Sequence, residues 1–244
     1  MKMRLLAFFN LLLLIGCTAA PPPPKYDFDS VREQFLLRYA QGCAEVDDLN
    51  RALYYLDFIT EPHTQGFEEL RQSFRTRLDA DDAAIAAQYK AIVKVTVNNI
   101  RIVPLSPNEF YLFGKCNLPR NTRFDLEVVN RTTGMTLTRR HDQEGAVITR
   151  GGRFSAFVTK PTDRADAPTW LPGEYQLCLR ACFSVDWQQS ISAQELVGKG
   201  GERLTGPLVI RDPIAGNCLV YQHNFRITKL ASEDRYQLIE LPSE

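Results

Sequence analysis

The side chains of this sequence with the most chemistry to offer are six cysteines, three histidines and two tryptophans. His63, His141 and His223 are far apart, and none stands at metal-ligand spacing from another. Neither an H-E-x-x-H motif nor a C-x-x-C pair occurs, so no metal site is predicted. His223 falls among Leu219, Tyr221, Phe225 and Ile227 and reads as a packed strand histidine rather than a ligand or base. His141 and Asp142 are adjacent only in sequence, at an expected hairpin end. There is no G-x-S-x-G elbow. Gly198-Lys199-Gly200-Gly201 lacks the spacing and the Lys-Ser/Thr ending of a phosphate loop. The expectation is therefore no catalytic residue, no cofactor and no enzymatic activity. Trp170 and Trp187 flank a late strand in loop-like contexts and are candidate binding residues, since an exposed indole offers a stacking platform.

Cys17 has different neighbours. Lys2 and Arg4 precede an apolar run from Leu5 to Ile15, which is a secretory signal peptide by charge, length and position. The run is too short to span a bilayer as a permanent helix. It ends in Leu14-Ile15-Gly16-Cys17, which resembles a bacterial lipobox: a branched apolar residue, a second residue of modest size, a small one, then cysteine. The resemblance implies removal of residues 1–16, diacylglycerol on the Cys17 thiol and acylation (palmitate or a similar chain) of the new amino group. At about 0.8 kcal/mol per buried CH₂, two or three acyl chains anchor stably where one would not. In such lipoproteins an aspartate after the cysteine favours retention in the inner membrane. Thr18 stands there instead, which implies the outer membrane, with the body facing the periplasm. Residues 17–29 include Pro21-Pro22-Pro23-Pro24, a stiff polyproline II stalk rising about 3.1 Å per residue.

The elements that must position the other residues follow the stalk. Hydrophobic residues at 44% and charged residues at 24% fit a folded globular chain. The net charge is zero, and loss of Lys2 and Arg4 with the signal peptide leaves a small acidic excess, so nucleic acid is not an expected partner. Residues 30–91 read as helical. Ser30 to Glu33 fits a capping box, and Val31, Phe35 and Tyr39 fall on one apolar face. Gly42 is the expected end of that helix. Val46, Leu49, Leu53 and Leu56 make a second apolar stripe, and Phe67, Leu70 and Phe74 a third, with Thr64 a candidate cap. Asp79 to Asp82 are expected to cap a further helix. Asp47-Asp48, Ala52 and Tyr55 recur 34 residues on as Asp81-Asp82, Ala86 and Tyr89, the tetratricopeptide period, but in too few positions to displace a small helical bundle.

From about residue 92 the period changes from helical to alternating. Strands are expected at 92–97, 110–116, 122–130, 135–140, 153–160, 174–184 and 218–229, divided by Gly, Pro, Asn and Ser turns. Seven strands with short turns point to a β-sandwich over residues 92–231, self-contained, with a long insertion at 185–217 and a tail at 232–244. The segment Gly114 to Thr122, with its proline turn, and the later Leu171-Pro172-Gly173-Glu174-Tyr175 resemble immunoglobulin-like domains of bacterial envelope proteins. The fold class expected is α+β, N-terminal amphipathic helices followed by an antiparallel immunoglobulin-like sandwich.

With Cys17 lipidated, five cysteines remain in an oxidising compartment. Cys178 and Cys182 lie four apart in one strand, roughly 13 Å at about 3.3 Å per residue, too far to bridge each other. Tyr175, Leu177, Leu179, Ala181 and Phe183 form the apolar face, so Cys178 and Cys182 face away from it, and Cys218 does the same in its strand. If the two strands are antiparallel neighbours, Cys182 and Cys218 stand at the two ends of the insertion and are expected to bond. Cys116 with Cys178 is the second expected pair, and Cys43 the odd thiol. Two functions are expected from the whole: a non-enzymatic, membrane-anchored module that binds a protein of the envelope, or alternatively a polysaccharide- or peptidoglycan-binding module that uses Trp170 or Trp187.

Overall fold

Apolar side chains at every second position, from Phe110 to Cys116 and from Phe124 to Val128, dictate strands with one buried face. The computed structural model describes residues 28–62, 64–106, 109–140, 147–159, 172–184, 189–229 and 236–240. In chain order its elements are α1 (Phe28–Glu45), α2 (Leu49–Asp57), α3 (Phe67–Gln88), β1 (Val93–Lys94), β2 (Val97–Ser106), β3 (Glu109–Cys116), β4 (Arg123–Asn130), β5 (Thr136–Arg140), β6 (Val147–Ile148), β7 (Arg153–Thr159), β8 (Gly173–Cys182), α4 (Ile191–Val197), β9 (Leu204–Thr205), β10 (Val209–Asp212), β11 (Gly216–Lys229) and β12 (Tyr236–Glu240).

The chain is α+β, with its long strands in a sandwich-like pair of antiparallel sheets. One sheet runs β2-β3-β7; the other runs β10-β11-β8-β4-β5, with β12 on β11 and β6 on β4. A short parallel pair, β1 with β9, stands beside them. The inner faces meet in one core. Phe110 of the small sheet lies edge-on to Phe225 of the large one at 5.9 Å, and Phe154 lies 5.2 Å from Phe124. The outer faces differ. The large sheet turns Glu127, Cys178 and Arg180 outward, whereas the small sheet turns out Tyr111, Phe113 and Phe157. That aromatic outer face is what the helices cover, so the molecule has three layers.

The packing crosses the boundary expected at residue 91. Ile85 and Tyr89, at the end of α3, belong to the sandwich core, and the Tyr89 hydroxyl donates to the Asn117 carbonyl at 3.0 Å. Arg203 donates to the Tyr89 carbonyl at 3.0 Å and to the Leu196 carbonyl at 2.9 Å, capping α3 and α4 with one guanidinium. The turn before β7 has Gly151 and Gly152 at φ +57° and +65°, and α3 lies directly on it. A Cβ on Gly152 would stand 2.8 Å from the Cys116 carbonyl oxygen, so only glycine lets this turn meet both helix and strand.

Several local expectations change. α1 begins at Phe28, so Ser30 lies inside the helix; Glu33 reaches across to accept from the Thr64 amide at 2.8 Å and is buried. Gly42 does not end α1, which runs on to Glu45 because its flanks pack on α2. Gly66 rather than Thr64 caps α3. Asp79 to Asp82 sit mid-helix in α3, their carboxylates taken by Arg120, Arg150, Arg153 and the Gly151 amide. The first expected strand splits, β1 ending at Lys94 and β2 starting at Val97. The insertion holds α4, β9 and β10, and the tail supplies β12.

Candidate functional site

The joint between α1 and α2 is where the helices are fastened to the small sheet. Asp47 takes the left-handed backbone conformation there, φ +63°, and its carboxylate meets three cations. Arg153 of β7 and Arg77 of α3 each reach its Oδ1 at 2.8 Å, and the Lys115 ammonium holds Oδ2. Arg153 also donates to the Asp47 carbonyl at 2.9 Å and to Asp81 at 2.7 Å. Asp47 and Asp81, one member of each acidic pair 34 residues apart, thus converge on one nearly buried guanidinium. Burial works against the Asp47 anion, but the hydrogen bonds from Lys115 and Arg153 prevail and hold its carboxyl below the usual range. Each charge in this cluster is answered by another, which makes it a fastening rather than a reactive centre.

Asp48, the next residue, caps α2 by accepting from the Arg51 amide at 3.2 Å. Its other oxygen accepts a short hydrogen bond from the Tyr111 hydroxyl. Burial raises the Asp48 carboxyl, and burial together with that anion raises Tyr111 further, so the proton stays on the tyrosine. The Arg51 guanidinium lies 3.9 Å from the Phe157 ring centre, 4.3 Å from Tyr54 and 4.7 Å from Tyr55. One arginine is therefore stacked between helix and sheet aromatics, a cation–π arrangement.

Beside this fastening α1 and the small sheet diverge and leave an open groove of 540 Å³. Its walls are apolar: Phe35 and Tyr39 from α1, Val46 from the turn after it, Val103 and Phe113 from the sheet, with Cys43 and the Asp48–Tyr111 pair at its base. Burial, and then the Asp48 charge, push the Cys43 thiol up to about 11, so it is a poor nucleophile at neutral pH. Arg38 of α1 and Arg101 of β2 also line the groove.

The groove exists because α1 packs with an unexpected face. Its inward stripe is Glu33 and Ala40, both buried, with Leu36, Leu37, Cys43 and Ala44 half-buried beside them, and its small residues let α2 approach closely. The stripe of Val31, Phe35 and Tyr39 points outward instead: Val31 and Phe35 are each 58% exposed, Tyr39 46%. Exposed rings are linked through the half-buried Tyr55: Phe35 to Tyr39 at 4.5 Å, Tyr39 to Tyr55 at 5.5 Å, Tyr55 to Tyr54 at 5.8 Å and Tyr54 to Phe58 at 4.8 Å. Monomeric proteins rarely leave so continuous an apolar band to water.

Cys182 and Cys218 face each other across β8 and β11, with Cα atoms 4.2 Å apart, and are disulfide-bonded. Ala215 covers them in a small cluster of their own. Cys116 and Cys178 are not bonded to each other, contrary to expectation. Cys116 points into the core from the small sheet, whereas Cys178 sits on the outer face of the large sheet beside Glu127 and Gln222, so a whole layer separates them. Cys43 is also free. His223 is buried in β11 with its ring stacked on Tyr221. Cys17, His63, His141, Trp170 and Trp187 lie outside the described residues. Among the described residues no three His, Cys, Asp or Glu side chains are placed to hold a metal, and no helix is long and apolar enough to cross a membrane. No protein-family model, curated protein or solved structure matches this chain.

Proposed function

We propose that this chain is a lipid-anchored envelope protein that binds another protein, without catalysis, through the face formed by α1, α2, β2 and β3. The observation that carries the reading is the outward stripe of Val31, Phe35 and Tyr39, continuous with Tyr54 and Phe58 and opening onto the groove. Phenylalanine, tyrosine and arginine are the residue types enriched in protein interfaces. The fastening at Asp47, Asp48 and Arg153 makes the face rigid, so a partner would meet a largely preorganised surface. The lipobox-like Leu14-Ile15-Gly16-Cys17 and the proline stalk support an anchor on the outer membrane, with the body facing the periplasm. The proline turn after β3 and the Pro172-Gly173 turn support taking the sandwich as immunoglobulin-like.

The test is site-specific photo-crosslinking in the producing cell. A benzophenone side chain placed at Phe35 or Tyr39 should give a discrete protein adduct. The same group at Ile214, 84% exposed on the turn between β10 and β11, should not. Absence of a protein adduct at Phe35 and Tyr39, or an adduct only to glycan, overturns the reading.

A further inference from the structure

We infer that the groove recognises an acidic, apolar peptide segment of its protein partner, with Arg38 and Arg101 reading the carboxylates. This rests on the protein-binding reading above and adds the chemistry of what enters. The two guanidiniums stand on opposite walls, Arg38 on α1 and Arg101 on β2. Among the described residues neither forms an ion pair, and both lie on the lining of the groove. Arg101 instead has its guanidinium 5.9 Å from the Phe113 ring centre, at the groove wall.

The one carboxylate lining the groove, Asp48, is already occupied by Tyr111 and the Arg51 amide. The groove therefore presents apolar walls with two positive charges that nothing within it answers. The complementary occupant carries large apolar side chains flanked by aspartate or glutamate. Basic segments are disfavoured by the same two charges, and a purely apolar one would leave both guanidiniums partly desolvated without a partner. An arginine fork suits a carboxylate better than a point charge does, since it can donate two parallel hydrogen bonds.

The experiment uses the full lipidated chain with benzophenone at Tyr39, comparing native charges with the double reversal R38E/R101E. Both arginines are exposed, and circular dichroism together with retention of the disulfide checks that the variant folds. Reversal should lower the yield of the protein adduct by about tenfold or more, because attraction becomes repulsion at both walls. Digestion and sequencing of the native adduct should place aspartate or glutamate within a few residues of the crosslinked position. Replacing those acids by lysine in the partner should restore the adduct with R38E/R101E. A protein adduct whose yield ignores the reversal, or whose crosslinked peptide is basic or uncharged, overturns this inference and leaves the protein-binding reading standing. Loss of any protein adduct in the native chain overturns both.

Discussion

Removing the Cys182–Cys218 disulfide should destabilise the chain by an amount its topology sets. The two cysteines already face each other in the β8–β11 ladder, so the bond asks nothing new of the folded backbone. Its effect falls on the unfolded chain, which it closes into a loop across a separation of 36 residues. The chain-entropy relation gives about 3.8 kcal/mol at 25 °C for a loop of that size. For a protein of this size that corresponds to a fall of about 10 °C in Tm. The perturbation is the double substitution Cys182→Ala and Cys218→Ala, read by urea unfolding of the oxidised wild type, the variant, and wild type unfolded and refolded in reductant. The variant and the reduced wild type should agree and both fall well below the oxidised protein. If the oxidised protein exceeds the variant by less than about 1 kcal/mol, the loop is already restricted when unfolded, and the entropic argument fails. A peptide map linking Cys182 to Cys178 or Cys116 would refute the strand register itself.

Other expected outcomes follow from the same contacts. A chain beginning at Ala91 loses Ile85 and Tyr89 from the sandwich core and should lack a cooperative urea transition; a transition within about 1 kcal/mol of the full chain would show the helices to be dispensable. Asp47→Asn should make stability less sensitive to acid. Ionised Asp47 stabilises the fold above its unfolded value of 3.8, and that contribution disappears as the pH falls through its lower folded value. Denaturant midpoints from about pH 5 to pH 2 should therefore fall more steeply for wild type than for Asp47→Asn, and parallel curves would contradict the assigned ion cluster. Cys17→Ser should abolish incorporation of a labelled fatty acid and release the chain from membranes or leave it unprocessed; unchanged labelling would refute the lipobox resemblance.

Much of the sandwich was legible because alternation is a local signal. From Phe110 to Cys116 and from Tyr175 to Phe183 every second residue is apolar, and those are the side chains that the core buries. The partners of Cys182 and Cys218 could be read because period-two geometry fixes which face each occupies. The Cys116–Cys178 expectation failed because alternation assigns a face within a strand but not the sheet to which the strand belongs. The strands β10 and β12 were missed for a related reason: each is short and lies on β11, which supplies the pairing that their own sequences barely announce.

The groove was hidden in α1, which carries two apolar stripes rather than one. Val31, Phe35 and Tyr39 make the heavier stripe, the apolar face that the spacing announced. The lighter stripe around Ala40 and Ala44 is buried instead, since small residues allow closer helix contact. Only the tertiary contacts decide between them. The fastening was half visible, in the repeated Asp-Asp pairs, but Arg153, on which Asp47 and Asp81 meet, lies 72 residues beyond Asp81 and could not be assigned from spacing.

The most direct test of the docking face is hydroxyl-radical footprinting of the chain in native envelopes against the purified, detergent-free body. Phe35, Tyr39, Tyr54 and Val103 are exposed in the isolated chain and should be oxidised readily there. In native envelopes they should be protected severalfold, while Ile210 and Ile214 on the far sheet react equally in both. Equal oxidation of Phe35 and Tyr39 in the two samples, or protection confined to Ile210 and Ile214, would contradict the account.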